Sequence, residues 1–167
     1  MRLSSKTEPR ILISKSLASE LAAVSDAARP LETGGFLFGA RRGCDLEIAG
    51  RTLAGDLDIA SPVSFERRST HHAREIAAQW GRSKGHIALI GDWHSHPVGA
   101  GAPSSTDRKA WRRLVQVMSS NGVAIIFSPA GMRVLYLRRS RLASQVVEYS
   151  EIYADESDLI FGLELRS

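Results

Sequence analysis

The sequence predicts an α/β protein, with one mixed β-sheet covered by helices. Short apolar runs rich in β-branched residues alternate with segments whose apolar residues recur at helical spacing, which indicates alternating strands and helices. The late runs lie next to one another, and the first two are joined by a Pro129-Ala130-Gly131 turn, so part of the sheet is expected to be antiparallel. The chain has 167 residues, 43% of them hydrophobic, which suits a single domain with one sizeable core.

The first half of the chain is expected to contain three strands and two helices. Leu17, Leu21 and Val24 form an apolar stripe in a helix that begins after an N-cap at Ser14, and Pro30 closes this segment. A second helix is expected to begin at Ser69 or Thr70. The predicted strands are residues 10–13, 32–39 and 44–54, the helices are residues 14–29 and 70–83, and residues 54–69 form an irregular connection.

The second half is expected to continue with a buried strand at residues 87–90, a loop at 98–103 and a helix to about residue 120. The last predicted strands are residues 122–128, 132–138 and 145–149. In domain terms, we expect a disordered lead at residues 1–9, a domain at 10–150, and a tail at 151–167 that forms a short helix.

The net charge of +4 arises from 22 Lys and Arg against 18 Asp and Glu. The basic residues cluster, for example at Arg67-Arg68 and Arg138-Arg139, which indicates either solvated faces or a surface for an acidic partner. No aromatic residues interleave with them, so nucleic acid is not an expected partner. The single cysteine, Cys44, excludes a disulfide framework and a Cys-rich zinc site, and we expect it to be buried.

The first ten residues include charges but no apolar segment of the kind found in signal peptides, and no apolar stretch approaches the length of a membrane span. A cytoplasmic location without membrane contact is therefore expected.

Three side chains near the middle of the chain have the character of metal ligands. His94 and His96 follow a buried strand, where residues two apart project to the same side, and Asp107 comes shortly afterwards at a predicted helix start. Two imidazoles and a carboxylate would leave the fourth position of a catalytic zinc to water. By itself, however, His-x-His on a strand is more often a pair of ordinary, satisfied polar residues.

Two further residues complete a possible hydrolytic site. Glu32 precedes a Gly-Gly strand entry, where two backbones can approach closely, and could act as general base. Ser104 could donate a hydrogen bond to an oxyanion, although Ser104-x-x-Asp107 alone also fits a helix capping box. The His-Glu-x-x-His motif of other zinc proteases is absent from the sequence.

Together, Glu32-Thr33-Gly34-Gly35, His94-Ser95-His96-Pro97 and Ser104-x-x-Asp107, with seven residues between His96 and Ser104, resemble the signature of the JAB/JAMM (MPN-domain) metalloproteases. The resemblance spans roughly residues 10–140 and implies a cytidine-deaminase-like, three-layer α/β/α fold. It implies that His94, His96 and Asp107 hold one Zn²⁺ per chain, with Glu32 as general acid/base and Ser104 as oxyanion stabiliser.

The resemblance also implies a reaction and partners. Family members cleave isopeptide or peptide bonds after the C-terminal glycine of ubiquitin-like proteins. The undecorated chain resembles the prokaryotic branch, some of whose members accompany activating and conjugating enzymes in anti-phage operons of the CBASS or Bil type. The alternatives are a non-catalytic module that binds a ubiquitin-like partner, and a protease for sulfur-carrier protein conjugates.

The extended tail of such a substrate is expected to bind by strand addition. The irregular residues 54–69 lie where family members have a substrate-contacting insertion. Phe65 is predicted to pack on the tail and Trp93 to wall a narrow channel for glycine, although plain core packing is the alternative for both.

Overall fold

The computed structural model describes residues 8–140 and 145–163, which form three α-helices and ten strands. The helices are α1 (Lys15–Ala28), α2 (His71–Arg82) and α3 (Ser105–Met118). The strands are β1 (Ile11–Ser14), β2 (Gly34–Arg42), β3 (Asp45–Arg51), β4 (Ile59–Ser61), β5 (Ser64–Glu66), β6 (Ala88–Ser95), β7 (Gly122–Ser128), β8 (Gly131–Arg138), β9 (Gln145–Ala154) and β10 (Asp158–Gly162). Among these described residues, no helix is both long and apolar enough to cross a membrane.

The expected mixed sheet covered by helices is confirmed, and the sheet also closes on itself. Its strand order is β1-β10-β9-β8-β7-β6-β2-β3, and β1 pairs with β3 to complete the ring. The β6–β7 and β1–β3 pairs are parallel, while the other neighbours are antiparallel. Strands β4 and β5 form a separate hairpin inside the connection predicted to be irregular.

The two faces of the sheet carry separate cores. On the inner face, Leu17 and Leu21 of α1 pack with strand residues such as Ile125 in the main cluster. On the outer face, Trp111 and Val115 of α3 cover a smaller cluster. Helix α1 therefore lies on one side of the sheet and α3 on the other, which matters for the approaches to the site described below.

The predicted N-cap of α1 is confirmed, and α2 begins directly after Thr70, one of its two predicted N-cap residues, but without a side-chain capping bond. Ser14 Oγ accepts a hydrogen bond of 3.2 Å from the Leu17 amide, satisfying a donor in the first helical turn. Ser69 Oγ instead accepts a hydrogen bond from the Leu57 amide, so the serine fastens the preceding connection rather than the helix.

The predicted C-terminal tail with a short helix is wrong over residues 151–163, and residues 164–167 lie outside the described residues. Strand β9 runs through residue 150, and β10 follows it as an antiparallel partner. The reason is tertiary: β10 also pairs with β1, and Phe161 is buried in the main core, so the last apolar run completes the sheet. Residues 1–7, most of the expected disordered lead, lie outside the described residues.

The prediction that Cys44 is buried is also wrong. Cys44 lies in the turn between β2 and β3 and is exposed. A turn that reverses the chain projects beyond the sheet, so a small apolar side chain there cannot reach the core.

Candidate metal centre

Strand β6 delivers its side chains to both faces of the sheet. The Trp111 indole of α3 donates a hydrogen bond of 2.8 Å to Asp92 Oδ1, and its ring lies 6.1 Å from the His94 imidazole. Asp92 and His94 therefore share the α3 side. Trp93 packs in the main core on the opposite face, as the two-residue alternation of a strand requires.

His94, His96 and Asp107 meet where β6 ends and α3 begins. The two imidazole Nε2 atoms lie 3.1 Å apart, while His94 Nε2 is 3.3 Å from Asp107 Oδ1 and His96 Nε2 is 3.4 Å from Asp107 Oδ2. Ligand atoms about 2.0–2.1 Å from a tetrahedral metal are separated from one another by about 3.3 Å. The spacing of these three groups therefore fits a tetrahedral cation bound between them.

The start of α3 holds the carboxylate of this cluster. Ser104 and Asp107 form a complete capping box: the Ser104 amide donates to Asp107 Oδ2 at 2.7 Å, and the Asp107 amide donates to Ser104 Oγ at 3.1 Å. Burial raises the pKa of Asp107, but hydrogen bonds from His94 and His96 outweigh it and hold this pKa well below its usual range. The carboxyl group is therefore ionised at neutral pH, which is the form that binds metals.

Glu32 lies beside the cluster at the entry to β2. Its backbone amide donates a hydrogen bond of 2.8 Å to the Ser61 carbonyl, and Thr33 exchanges two hydrogen bonds with Ser95. The close approach expected at the glycines is observed, since a Cβ on Gly35 would lie 2.0 Å from the Thr52 carbonyl oxygen. Burial raises the pKa of the Glu32 carboxyl, against the opposing effect of His94 and His96. A carboxyl with a raised pKa is suited to accepting and releasing a proton near neutral pH.

One cavity of about 390 Å³ collects these side chains. Its lining includes the five predicted residues Glu32, His94, His96, Ser104 and Asp107, together with Phe65 of the hairpin. The prediction that Trp93 walls this cavity is wrong: its side chain is 0% exposed and its indole donates to the Thr52 carbonyl in the core. The same alternation that exposes His94 to the cavity turns Trp93 away from it.

Sequence reasoning missed the ion pair between Arg67 and Asp92, which joins the hairpin to the sheet. The guanidinium lies 3.1 Å from Asp92 Oδ2 and donates to the carbonyls of Gly35 and Trp93. It also lies over the Phe65 ring. In the sequence, Arg67 belongs to a basic cluster, and nothing local distinguishes it from Arg68.

A second buried network fixes the connection between β3 and α2. Asp58 accepts hydrogen bonds from the backbone amides of Gly55, Arg68 and Ser69, and from His72 Nε2 at 2.8 Å. His72 is 3% exposed, and its bond to Asp58 gives it a structural role. The segment that places the hairpin over the cavity is therefore anchored at its base.

Fold and site together define a class: a single α/β domain with a candidate metal centre at the end of a strand of a mixed sheet. A model of the family described as prokaryotic homologs of the JAB domain matches residues 14–140. The chain belongs to this family.

Individual relatives agree with this assignment. Over 82 residues the chain is 38% identical to a protein of Vibrio cholerae named CD-NTase/cGAS isopeptidase, covering 49% of this chain and 53% of the relative. Over 100 residues it is 32% identical to a Sinorhizobium fredii protein named probable metalloprotease, covering 57% and 60% respectively. The chain thus spans about half the length of the isopeptidase relatives it matches, at 51–53% of each.

The fold has a counterpart among solved structures. A solution structure of a protein from Desulfitobacterium hafniense superposes with a TM-score of 0.55 at 24% identity, covering 81% of this chain and 88% of that one. At this level of identity the likeness concerns the fold alone.

Proposed function

We propose that this protein is a zinc-dependent isopeptidase that cleaves after the C-terminal glycine of a ubiquitin-like protein, releasing it from a conjugated target or processing its precursor. The observation that carries the proposal is that Glu32 lines the same cavity as the clustered His94, His96 and Asp107. A metal cluster alone fits many roles, whereas a buried carboxyl with a raised pKa beside it fits hydrolysis.

The bound metal, Glu32 and Ser104 would have different roles in the reaction. Bound Zn²⁺ supplies Lewis acidity and makes water a nucleophile at neutral pH. Glu32 takes a proton from the attacking water and passes it to the departing amine. Ser104, at the start of α3, donates a hydrogen bond from its hydroxyl group to the carbonyl oxygen as that atom gains charge.

The hairpin β4–β5 is the part of the site suited to an extended tail. It projects over the cavity, and Phe65 lines the wall between the hairpin and the metal cluster. A tail that adds to the hairpin would be held by backbone hydrogen bonds, with Phe65 packing on it. Glycine at the cleaved position suits the approach to a cluster that is largely buried.

The relatives' names suggest the target of conjugation. Several are named CD-NTase/cGAS isopeptidase, so we propose a CD-NTase of the cGAS type as the protein from which the ubiquitin-like modifier is removed. We further propose that the protein acts in a bacterial anti-phage conjugation pathway, with the activating and conjugating enzymes of that pathway as further partners.

The proposal is tested by incubating zinc-loaded protein with a panel of ubiquitin-like fusions and locating the cut by mass spectrometry. Cleavage directly after the C-terminal glycine of one modifier is expected. Glu32→Gln should abolish cleavage while retaining one zinc per chain, because the change removes the proton carrier and none of the proposed ligands. Glu151→Ala, at an exposed carboxylate on β9, is the matched control and should cleave normally.

Two outcomes would refute the proposal. Full activity of Glu32→Gln would eliminate the general-base role. A stable complex between zinc-loaded protein and a modifier, with no product after long incubation, would instead identify a non-catalytic binding module.

A further inference from the structure

A second groove reaches the candidate metal centre from the other side of the sheet. Its volume is about 650 Å³, and it runs between α1 and the β7–β8 turn. Ala22 and Asp26 line its helical wall, while Phe127 and Met132 line the opposite wall. At its inner end it is bounded by Ser95, His96 and Pro97.

The two grooves share a wall. His96 and Pro97 line both the second groove and the cavity that contains Glu32 and the hairpin. That cavity lies on the α3 side, because Trp111 of α3 contributes to its lining, whereas the second groove is bounded by α1 on the opposite face. The end of β6 is therefore a ridge with a metal ligand on it and a groove on either side.

An amide substrate extends in two directions from the bond that is cut. Water adds to the carbonyl carbon, the C–N bond breaks, and the proton taken up by Glu32 leaves on the amine nitrogen. If the acyl side lies under the hairpin, the wall formed by His96 and Pro97, which line both grooves, gives the amine side a route out of the cavity. The groove on the α1 side begins at that point.

We propose that the α1 groove binds the leaving side of the substrate, namely the lysine arm of the conjugated target and the chain segment on either side of it. This rests on the proposed isopeptidase function. The walls suit such an occupant: Phe127, Met132 and Pro97 offer apolar contact to the methylene groups of lysine, and the exposed ion pair between Asp26 and Arg29 stands at the rim.

The test compares two amides of one modifier. Ubiquitin, or the ubiquitin-like protein that the fusion panel shows to be cut, is linked through its C-terminal glycine to a lysine of a folded target or to a small aminocoumarin. Ser19→Trp places a large side chain in the α1 groove from an exposed helix position. Ala27→Trp, at an exposed position on the same helix that does not line the groove, is the matched control.

We expect Ser19→Trp to lower kcat/KM for the lysine-linked conjugate at least about tenfold and to leave aminocoumarin release within about twofold of the unmodified protein, while Ala27→Trp changes neither. Circular dichroism is measured for both variants to check that they fold. Unchanged cleavage of the conjugate by Ser19→Trp would overturn the proposal, as would equal loss for both substrates, which would place the modifier's tail in this groove. Failure of the unmodified protein to cut either amide would instead refute the proposed function itself.

Discussion

Ser104 occupies a position where one side chain can serve two purposes. Its Oγ accepts a hydrogen bond from the Asp107 amide, which uses an oxygen lone pair and leaves the hydroxyl proton available. The capping box observed in the structure is therefore compatible with the proposed donation to an oxyanion, so the two readings of Ser104-x-x-Asp107 do not exclude each other.

Substitution of Ser104 should separate the two purposes. Ser104→Ala removes both, so we expect kcat to fall by about 10²–10³ and the free energy of unfolding by about 1 kcal/mol. Ser104→Thr keeps the cap and the donor and should restore most of both. Steady-state kinetics and urea unfolding measure the two effects, and a loss of stability with unchanged kcat would leave only the capping role.

The spacing of residues in the sequence could identify most of the site because the residues of each pair lie close together in the chain. His94 and His96 are related by strand periodicity, and Ser104 and Asp107 by one helical turn, so each pair is apparent within a few positions. Applied to Trp93, the same periodicity already excludes it from the His94 face, which explains why its predicted contact with substrate was wrong. Arg67 and Asp92 pair across the fold, and no local pattern indicates such a contact.

At the scale of elements, the β4–β5 hairpin is attached to the metal-bearing strand mainly through Arg67. The Arg67 side chain is 15% exposed and its partner Asp92 5% exposed, and the guanidinium also bonds to the carbonyl that immediately precedes His94. The hairpin is additionally held by the bond from the Glu32 amide to Ser61. Its position over the cavity is therefore set by the sheet rather than by its own short strands.

Arg67→Lys should loosen this attachment while keeping the positive charge beside Asp92. A lysine cannot reproduce the planar fork that bonds to Gly35 and Trp93 together. We expect KM for a ubiquitin-like substrate to rise about tenfold, equivalent to about 1.4 kcal/mol, with kcat within about threefold, because Glu32 and the proposed ligands stay in place. Arg68→Lys, at an exposed arginine paired with Glu66, is the matched control. A fall in kcat at constant KM would contradict the hairpin's proposed part in binding.

Asp58 should contribute to stability in a pH-dependent manner. Its side chain is 2% exposed, and although burial raises its pKa, hydrogen bonds from Gly55, Ser69 and His72 outweigh burial and hold that pKa below its ordinary value. A pKa that is lower in the folded than in the unfolded state gives stability that is complete above the unfolded pKa of about 3.9 and is lost as pH falls below it. Asp58→Asn should therefore lower the free energy of unfolding by about 2–3 kcal/mol at pH 7 and by less near pH 3.5.

Urea unfolding of the two proteins at both pH values measures this difference. Asp56→Asn, at an exposed carboxylate of the same connection, should leave stability unchanged. An equal loss for Asp58→Asn at the two pH values would show that the ionised form of Asp58 is not what the connection requires.

At the scale of the whole molecule, the candidate metal centre lies at the margin of the core rather than within it. The side chains of His96 and Asp107 are each 14% exposed, and together with His94 they line a cavity. The fold should therefore persist when metal is removed, unlike that of small domains whose core depends on zinc.

Chelation should accordingly lower Tm by about 5–15 °C through loss of ligand binding, with an unchanged far-UV spectrum. Restoring zinc should restore Tm, while His94→Ala should show a low Tm that zinc does not alter. Loss of cooperative unfolding in the chelated protein would contradict a core that is independent of the metal.

The overall class was predictable because each helix and most strands show their periodicity within a short segment. Closure of the sheet was not, since it depends on β1 pairing with both β3 and β10 across long stretches of chain. The helix wrongly expected after residue 150 also reflects a long-range contact. The last apolar run, which ends at Phe161, is a strand because it pairs with the edge of β1.

The pairing of β1 with β10 also determines where the chain could be circularly permuted. The two strands are antiparallel and Ile11 is opposite Phe161, so the chain enters β1 and leaves β10 at the same end of the seam, with these Cα atoms about 5 Å apart. A short linker there would let the chain be opened instead at the exposed turn around Gly43. Such a circular permutant would begin at β3 and end at β2, and every strand pairing of the closed sheet would remain intact.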